Sequence, residues 1–156
     1  MTNIKNIYRS IKNGISNIIR WLPIIWNDYD WDDWYIFNLL YHKFNNMEEF
    51  FRGDKVWSTT AKDTADKLKV AKLLCKRIMD ENYIKNALTL VEQKYGKSKF
   101  YFKESNHTDY KILVWDESEE EKRARRKAYK HSDYMMKQDI NYLFNHLKKY
   151  IRGFWD

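Results

Sequence analysis

The chain has 156 residues, 17 % of them aromatic and 33 % charged, with a net charge of +7. That balance suits one folded domain and excludes a disordered or fibrous chain. The single cysteine excludes an internal disulfide and cysteine-rich zinc sites, no uncharged apolar run reaches the about 18–20 residues that span a bilayer, and 4 Gly with 1 Pro argue against a turn-rich sandwich or barrel.

The first element is a helix. Ile4, Ile7, Tyr8, Ile11, Ile15, Ile18 and Ile19 recur at three- and four-residue steps, with Lys5, Arg9, Lys12, Asn13 and Asn17 around them. The cations that punctuate the stripe make it a poor secretory signal, so a reducing cytoplasm is the expected compartment. The stripe is expected to pack on the other helices. The alternative is a helix lying on an anionic membrane. Pro23 should end or kink it shortly after Arg20.

Trp26-Asn27-Asp28-Tyr29-Asp30-Trp31-Asp32-Asp33-Trp34 follows, with four carboxylates and four large rings in nine residues. Asp30 or Asp32 can cap a second helix, which carries Trp34, Phe37, Leu40, Tyr41, Phe44, Met47 and Phe51 toward a core and stops near Gly53. Thr59 or Thr60 can cap a third, with Ala61, Ala65, Leu68, Ala71, Cys75 and Ile78 on one face. A fourth has Ile84, Leu88, Val91 and Tyr95 in register and ends at Gly96.

From 97 to 117 the period changes to two, and a β-hairpin is expected around a turn at Glu104–Asp109. Such a hairpin needs a helix or another chain to pack on. Ser118-x-x-Glu121 is a capping box, with Glu119→Arg123 and Glu121→Arg125 pairs behind it. Met136, Ile140, Leu143, Phe144, Leu147 and Ile151 give the closing helix its stripe. The fold class is therefore mainly α: a compact bundle of about five helices, with one hairpin inserted before the last helical region. The whole chain, 1–156, reads as a single helical domain.

Chemical motifs are scarce. Asp28, Asp30 and Asp32 alternate as calcium-loop ligands do, but Asp33 stands where the loop needs glycine and Leu39 where it needs a bidentate Glu. His42, His107, His131 and His146 have no metal-ligand spacing. Asp28, Asp30 and His42 could be drawn as acid–base machinery, yet nothing in the sequence brings them to one substrate. Cys75 lies on a core face and reads as a small buried hydrophobe. No phosphate loop or nucleophile elbow is present. A non-enzyme with no metal and no cofactor is the expectation.

The basic run Lys122–Lys127 reads first as a solvated helix face and second as a phosphate contact. Rings flanked by cations, as in Lys99-Phe100-Tyr101-Phe102-Lys103 and Arg20-Trp21, can stack a base and neutralise a phosphate. Most such rings belong to the core.

Two places together resemble a family of small, uncharacterised tailed-bacteriophage proteins. They are Trp26–Asp32 with the helix Leu39–Met47, and the closing Ile151-Arg152-Gly153-Phe154-Trp155-Asp156. The family looks like an N-terminal helix, a W-x-D-x-D-W-D segment, a helical middle, a variable insert and a Gly-aromatic-Trp-Asp end. Phe154 departs from the double Trp expected there. The motifs carry no known chemistry, so no catalytic residue transfers. The resemblance implies the cytoplasm of an infected bacterium and the tasks of such proteins, which redirect or block host systems. A basic, aromatic-rich protein suits one of these: a counter-defence protein that binds and sequesters a nucleotide-derived immune signal without catalysis. The expected ligand residues are Arg20, Trp26, Tyr29, Trp31, Asp32, Lys43, Phe100, Tyr101, Lys103, Arg123, Arg126 and Trp155. Full burial of a small ligand is easier between subunits, so a homo-oligomer is expected. The alternatives are a nucleic-acid-binding protein and a protein that covers a host enzyme.

Overall fold

The computed structural model describes every residue except Met1, Asn27, Asp30, Trp31, Asp33, Lys55, Trp57, Glu81, Asn106, His107, Thr108, Asp109, Trp155 and Asp156. Among the described residues the elements are α1 (Thr2–Ile25), α2 (Trp34–Arg52), α3 (Ala61–Met79), α4 (Asn82–Tyr95), β1 (Phe100–Glu104), β2 (Lys111–Trp115) and α5 (Glu119–Tyr150), closed by a 3₁₀ turn at Ile151–Phe154. The protein is mainly helical, with the hairpin between α4 and α5 as the change of period indicates. Its chain divides into two compact units. The first is Met1–Met79 with Arg152–Asp156, and the second is Asp80–Ile151.

The first unit is built on α2 packed against α3. Ala65, Leu68, Ala71 and Cys75 of α3 are wholly buried, and the small alanines let the α2 backbone come close. From α2, Tyr35 and Phe44 are buried, and Phe37, Leu40 and Met47 are half-buried. Phe154 fills the same core and meets Phe44 edge-on at 6.4 Å. The start of α2 is fixed twice. Asp32 Oδ1 accepts from the Trp34 N–H at 3.1 Å, and the Trp34 indole donates to the Met79 carbonyl at 3.0 Å.

One charge lies inside this unit. Glu48 is buried, with Arg52 Nε at 2.9 Å and Lys72 Nζ at 2.5 Å; the lysine contact is an ion pair lying outside hydrogen-bond angles. Arg52 also reaches Asp66 at 2.8 Å and Lys72 reaches Asn45 at 3.2 Å, so the network joins α2 to α3. Burial pushes the Glu48 carboxyl up, but Lys72 and Arg52 outweigh it and hold the group below its ordinary value of 4.5. A lowered carboxylate contributes stability that is complete above the unfolded value and is lost as pH falls through the folded one. Acid titration of the unfolding midpoint should therefore fall off more steeply below about pH 4.5 in the parent than in Glu48→Gln. Parallel curves would show that this carboxylate does not contribute.

Helix α1 departs from expectation. It does not supply a wall of the core: Ile4, Ile7, Ile11, Ile15, Ile18 and Ile19 are 54–75 % exposed. It is held at its C-terminal end, where Trp21 meets His42 edge-on at 4.8 Å and the Tyr35 hydroxyl donates to the Ile24 carbonyl. Those contacts come from another side of the helix than the stripe. Pro23 neither ends nor breaks the helix, which continues to Ile25. The missing N–H falls in the last turn, and the ladder resumes with Trp26 N–H to Leu22 O at 3.0 Å.

In the second unit α4 packs on α5. Gly96 ends α4 at φ 82°, the left-handed conformation that glycine adopts without strain. The hairpin pairs Phe100 with Trp115 and Phe102 with Leu113 on one face, and Tyr101 with Val114 and Lys103 with Ile112 on the other. Of these strand residues only Val114 is half-buried; the rest are exposed. The Asp116 N–H to Lys99 O bond, 2.9 Å, closes its base. The turn expected at 104–109 falls mostly outside the described residues. Ser118 caps α5, its Oγ accepting from the Glu121 N–H at 3.2 Å. Helix α5 runs unbroken for 32 residues. Leu143 and Leu147 of its stripe are buried, but Phe144 and Ile151 are exposed.

Candidate functional site

The expected ligand residues separate between the two units. Arg20, Trp26, Tyr29, Asp32 and Lys43 belong to the first, and Phe100, Tyr101, Lys103, Arg123 and Arg126 to the second. Trp31 and Trp155 lie outside the described residues. In the first unit, Asp32 is the helix cap, and Arg20, Trp26, Tyr29 and Lys43 are all exposed. His42, drawn with Asp28 and Asp30 as possible acid–base machinery, packs on Trp21 and lies 3.1 Å from the Asn46 amide.

In the second unit a groove opens between the hairpin base and α5. Its volume is about 370 Å³, and it is lined by Ser98, Trp115, Glu117, Lys122, Arg125, Arg126 and Tyr129. Helix geometry explains the α5 side. Lys122, Arg125, Arg126 and Tyr129 stand at steps of three and four residues, so they share one face. Arg123 is exposed and does not line the groove. Strand register explains the other wall: Trp115 ends β2 opposite Phe100, and the two rings meet at 5.6 Å. Tyr101 and Lys103 lie on the opposite face of the hairpin.

The floor of the groove is Arg125, which is 5 % exposed. The reading of the basic run as a solvated face is corrected at this residue. Its guanidinium contacts Glu117 at 2.9 Å, Glu121 at 2.8 Å and the Gly96 carbonyl at 2.9 Å. The hydrogen bond to Glu121, with both carboxylates' charge, raises its already high pKa despite burial. One side chain thereby fixes the end of α4, the loop after β2 and the first turn of α5. Lys122 pairs with Glu119 at 2.9 Å, in place of the Glu119–Arg123 pair expected from spacing. Arg126 makes no ion pair among the described residues, and its charge helps lower the Glu119 carboxyl after the larger effect of Lys122.

The groove can thus offer two half-exposed rings, Trp115 and Tyr129, and a cationic edge. The sequence points to Arg126 as a ligand residue and to Lys122 and Arg125 only as members of the basic run; it does not point to Trp115 or Tyr129. The signal present was the α5 spacing combined with the hairpin register; neither alone brings Trp115 to Tyr129.

Elsewhere the chemistry is muted. Among the described residues no cluster of three or more His, Cys, Asp or Glu could hold a metal ion, and no helix is long and apolar enough to cross a membrane. Cys75 is wholly buried, and burial pushes its thiol up to about 12. A thiol reagent at neutral pH should leave the native protein unmodified and label one cysteine after denaturation. Rapid labelling of the native state would contradict this burial.

Compared with protein-family models, curated proteins and solved structures, the chain has no match.

Proposed function

We propose that the groove of the second unit binds a nucleotide-type ligand and that the protein acts by holding it, without catalysis. The observation that supports this most is the meeting of Trp115 and Tyr129 with Lys122 and Arg126 over a fixed guanidinium. A base or other flat ring stacks on the aromatics, and a phosphate sits at the cationic edge. The groove's carboxylate, Glu117, is engaged by Arg125 at 2.9 Å, which leaves it poorly placed to act as a base. A volume of about 370 Å³ is at the small end for ligand sites, and the groove is open. A second copy closing over it would complete the burial that tight sequestration needs, and the exposed rings Phe100 and Phe102 are available to that contact. Joined to the phage-protein resemblance, the reading is a counter-defence protein that withholds a nucleotide-derived immune signal in the cytoplasm of an infected bacterium.

Calorimetry against cyclic nucleotides and ADP-ribose derivatives tests this. The expected result is saturable binding at micromolar Kd or tighter, weakened at least about tenfold in Arg126→Glu. No heat across the panel, with retention of a host protein instead, supports the enzyme-covering alternative and defeats the proposal. Binding only to long nucleic acid, falling steeply with salt, defeats it in favour of the other alternative.

A further inference from the structure

We infer that α1 is a surface anchor that lies flat on a membrane rich in anionic lipid. At about 100° per residue, Ile4, Ile7, Ile11, Ile15, Ile18, Ile19, Leu22 and Ile25 fall within an arc of about 120°. Tyr8 and Trp26 lie within the same arc. At 24 residues the helix is about 36 Å long. All of these residues are exposed, so the fold leaves a continuous apolar face without cover.

The charge pattern selects the occupant. Lys5, Arg9, Lys12 and Arg20 lie together along one flank of the apolar arc, and none has an ion-pair partner among the described residues. The helix contains no Asp or Glu at all, and the first carboxylate of the chain is Asp28. A second copy would bring the same four cations and no carboxylate in return. A sheet of anionic headgroups complements the flank, while the isoleucines enter the boundary of the acyl region. Tyr8 and Trp26 are ring types suited to that interface.

The attachment of α1 agrees with this. Trp21 and Ile24, its half-buried residues, fall outside the arc and meet α2 through His42 and Tyr35. The helix is therefore fixed to the first unit from one side while the stripe remains free on another. Four cations in 24 residues rule out a span, so the helix lies in the interface.

Co-sedimentation of the full chain with lipid vesicles tests the inference, using phosphatidylcholine alone and phosphatidylcholine mixed with phosphatidylglycerol. Binding is expected to the mixed vesicles and to weaken as salt rises. Ile11→Glu with Ile18→Glu should reduce it at least about tenfold. Lys5→Gln with Lys12→Gln should reduce it about 25-fold. These side chains are exposed, so the unfolding midpoint should not move; that control separates lost binding from lost fold. Failure of the parent to bind mixed vesicles would overturn the inference. So would equal binding to both vesicle types, or a soluble dimer that Ile11→Glu converts to monomer.

Discussion

Replacing Arg125 with methionine is expected to destabilise the second unit by about 3 kcal/mol, because it leaves the largely buried carboxylates of Glu117 and Glu121 without their cation. The two carboxylate side chains are 9 % and 13 % exposed, so water cannot replace the guanidinium easily. The Gly96 carbonyl loses a donor at the same time. Against a typical total of about 5–15 kcal/mol this is a large fraction. Arg125→Lys should fall between parent and Arg125→Met, since an ammonium keeps the charge but cannot fork between three acceptors. Adding Glu117→Gln and Glu121→Gln to Arg125→Met should restore part of the loss by removing the stranded charges. Denaturant midpoints of the four proteins measure this. Equal midpoints for parent and Arg125→Met would mean that the network is not a source of stability.

The second large effect is expected at Phe154→Ala, about 3–5 kcal/mol. Phe154 is 2 % exposed and packs edge-on to Phe44 in the first unit, so truncation opens a ring-sized cavity there. Phe154→Leu should cost less, because most of the volume remains. Phe144→Ala is the internal control: that ring is exposed and should change stability by no more than about 0.5 kcal/mol. If Phe154→Ala were as mild as Phe144→Ala, the 3₁₀ turn would not be part of the core. Phe154 thus acts as a hydrophobic plug in the core of the first unit.

Much of the fold is legible because period and punctuation are local. The six positions from Ala61 to Ile78 that repeat on one face of α3 are all buried. Gly96, Ser118 and the two strands announce themselves by residue type and alternation. What is not legible is what covers each face. The α1 stripe shows a 3.6-residue period as clear as that of α3, yet it is exposed. Periodicity identifies an amphipathic face without naming its partner.

Buried charge is the other blind spot. Arg125 reads from sequence as part of a solvated face, and no local pattern marks Glu48 as buried. Glu48 is buried because Lys72, on another helix, and Arg52 meet it. Arg125 is buried because Glu117 and Gly96, from other segments, converge on it. The Glu48–Arg52 and Glu121–Arg125 pairs, each four residues apart on one helix, are local; Lys72, Glu117 and Gly96 are not. The groove escaped for the same reason: Trp115 becomes a neighbour of Arg126 and Tyr129 only after the hairpin closes at Lys99 and Asp116. The Trp-Asp segment, the most unusual stretch of sequence, has a demonstrated structural task in Asp32, which caps α2, and in Trp34, which ties α2 to the end of α3.

A ligand held in the groove is followed most directly at one atom of its wall, the Trp115 indole N–H. In isotope-labelled protein each of the 7 tryptophans gives its own indole N–H signal, and a Trp115→Phe variant assigns the relevant one. Titration with the nucleotide selected by calorimetry should move the Trp115 signal to saturation in the parent and leave it in place in Arg126→Glu. A Trp115 signal that stays fixed while the ligand binds elsewhere, or while nothing binds, would contradict the account.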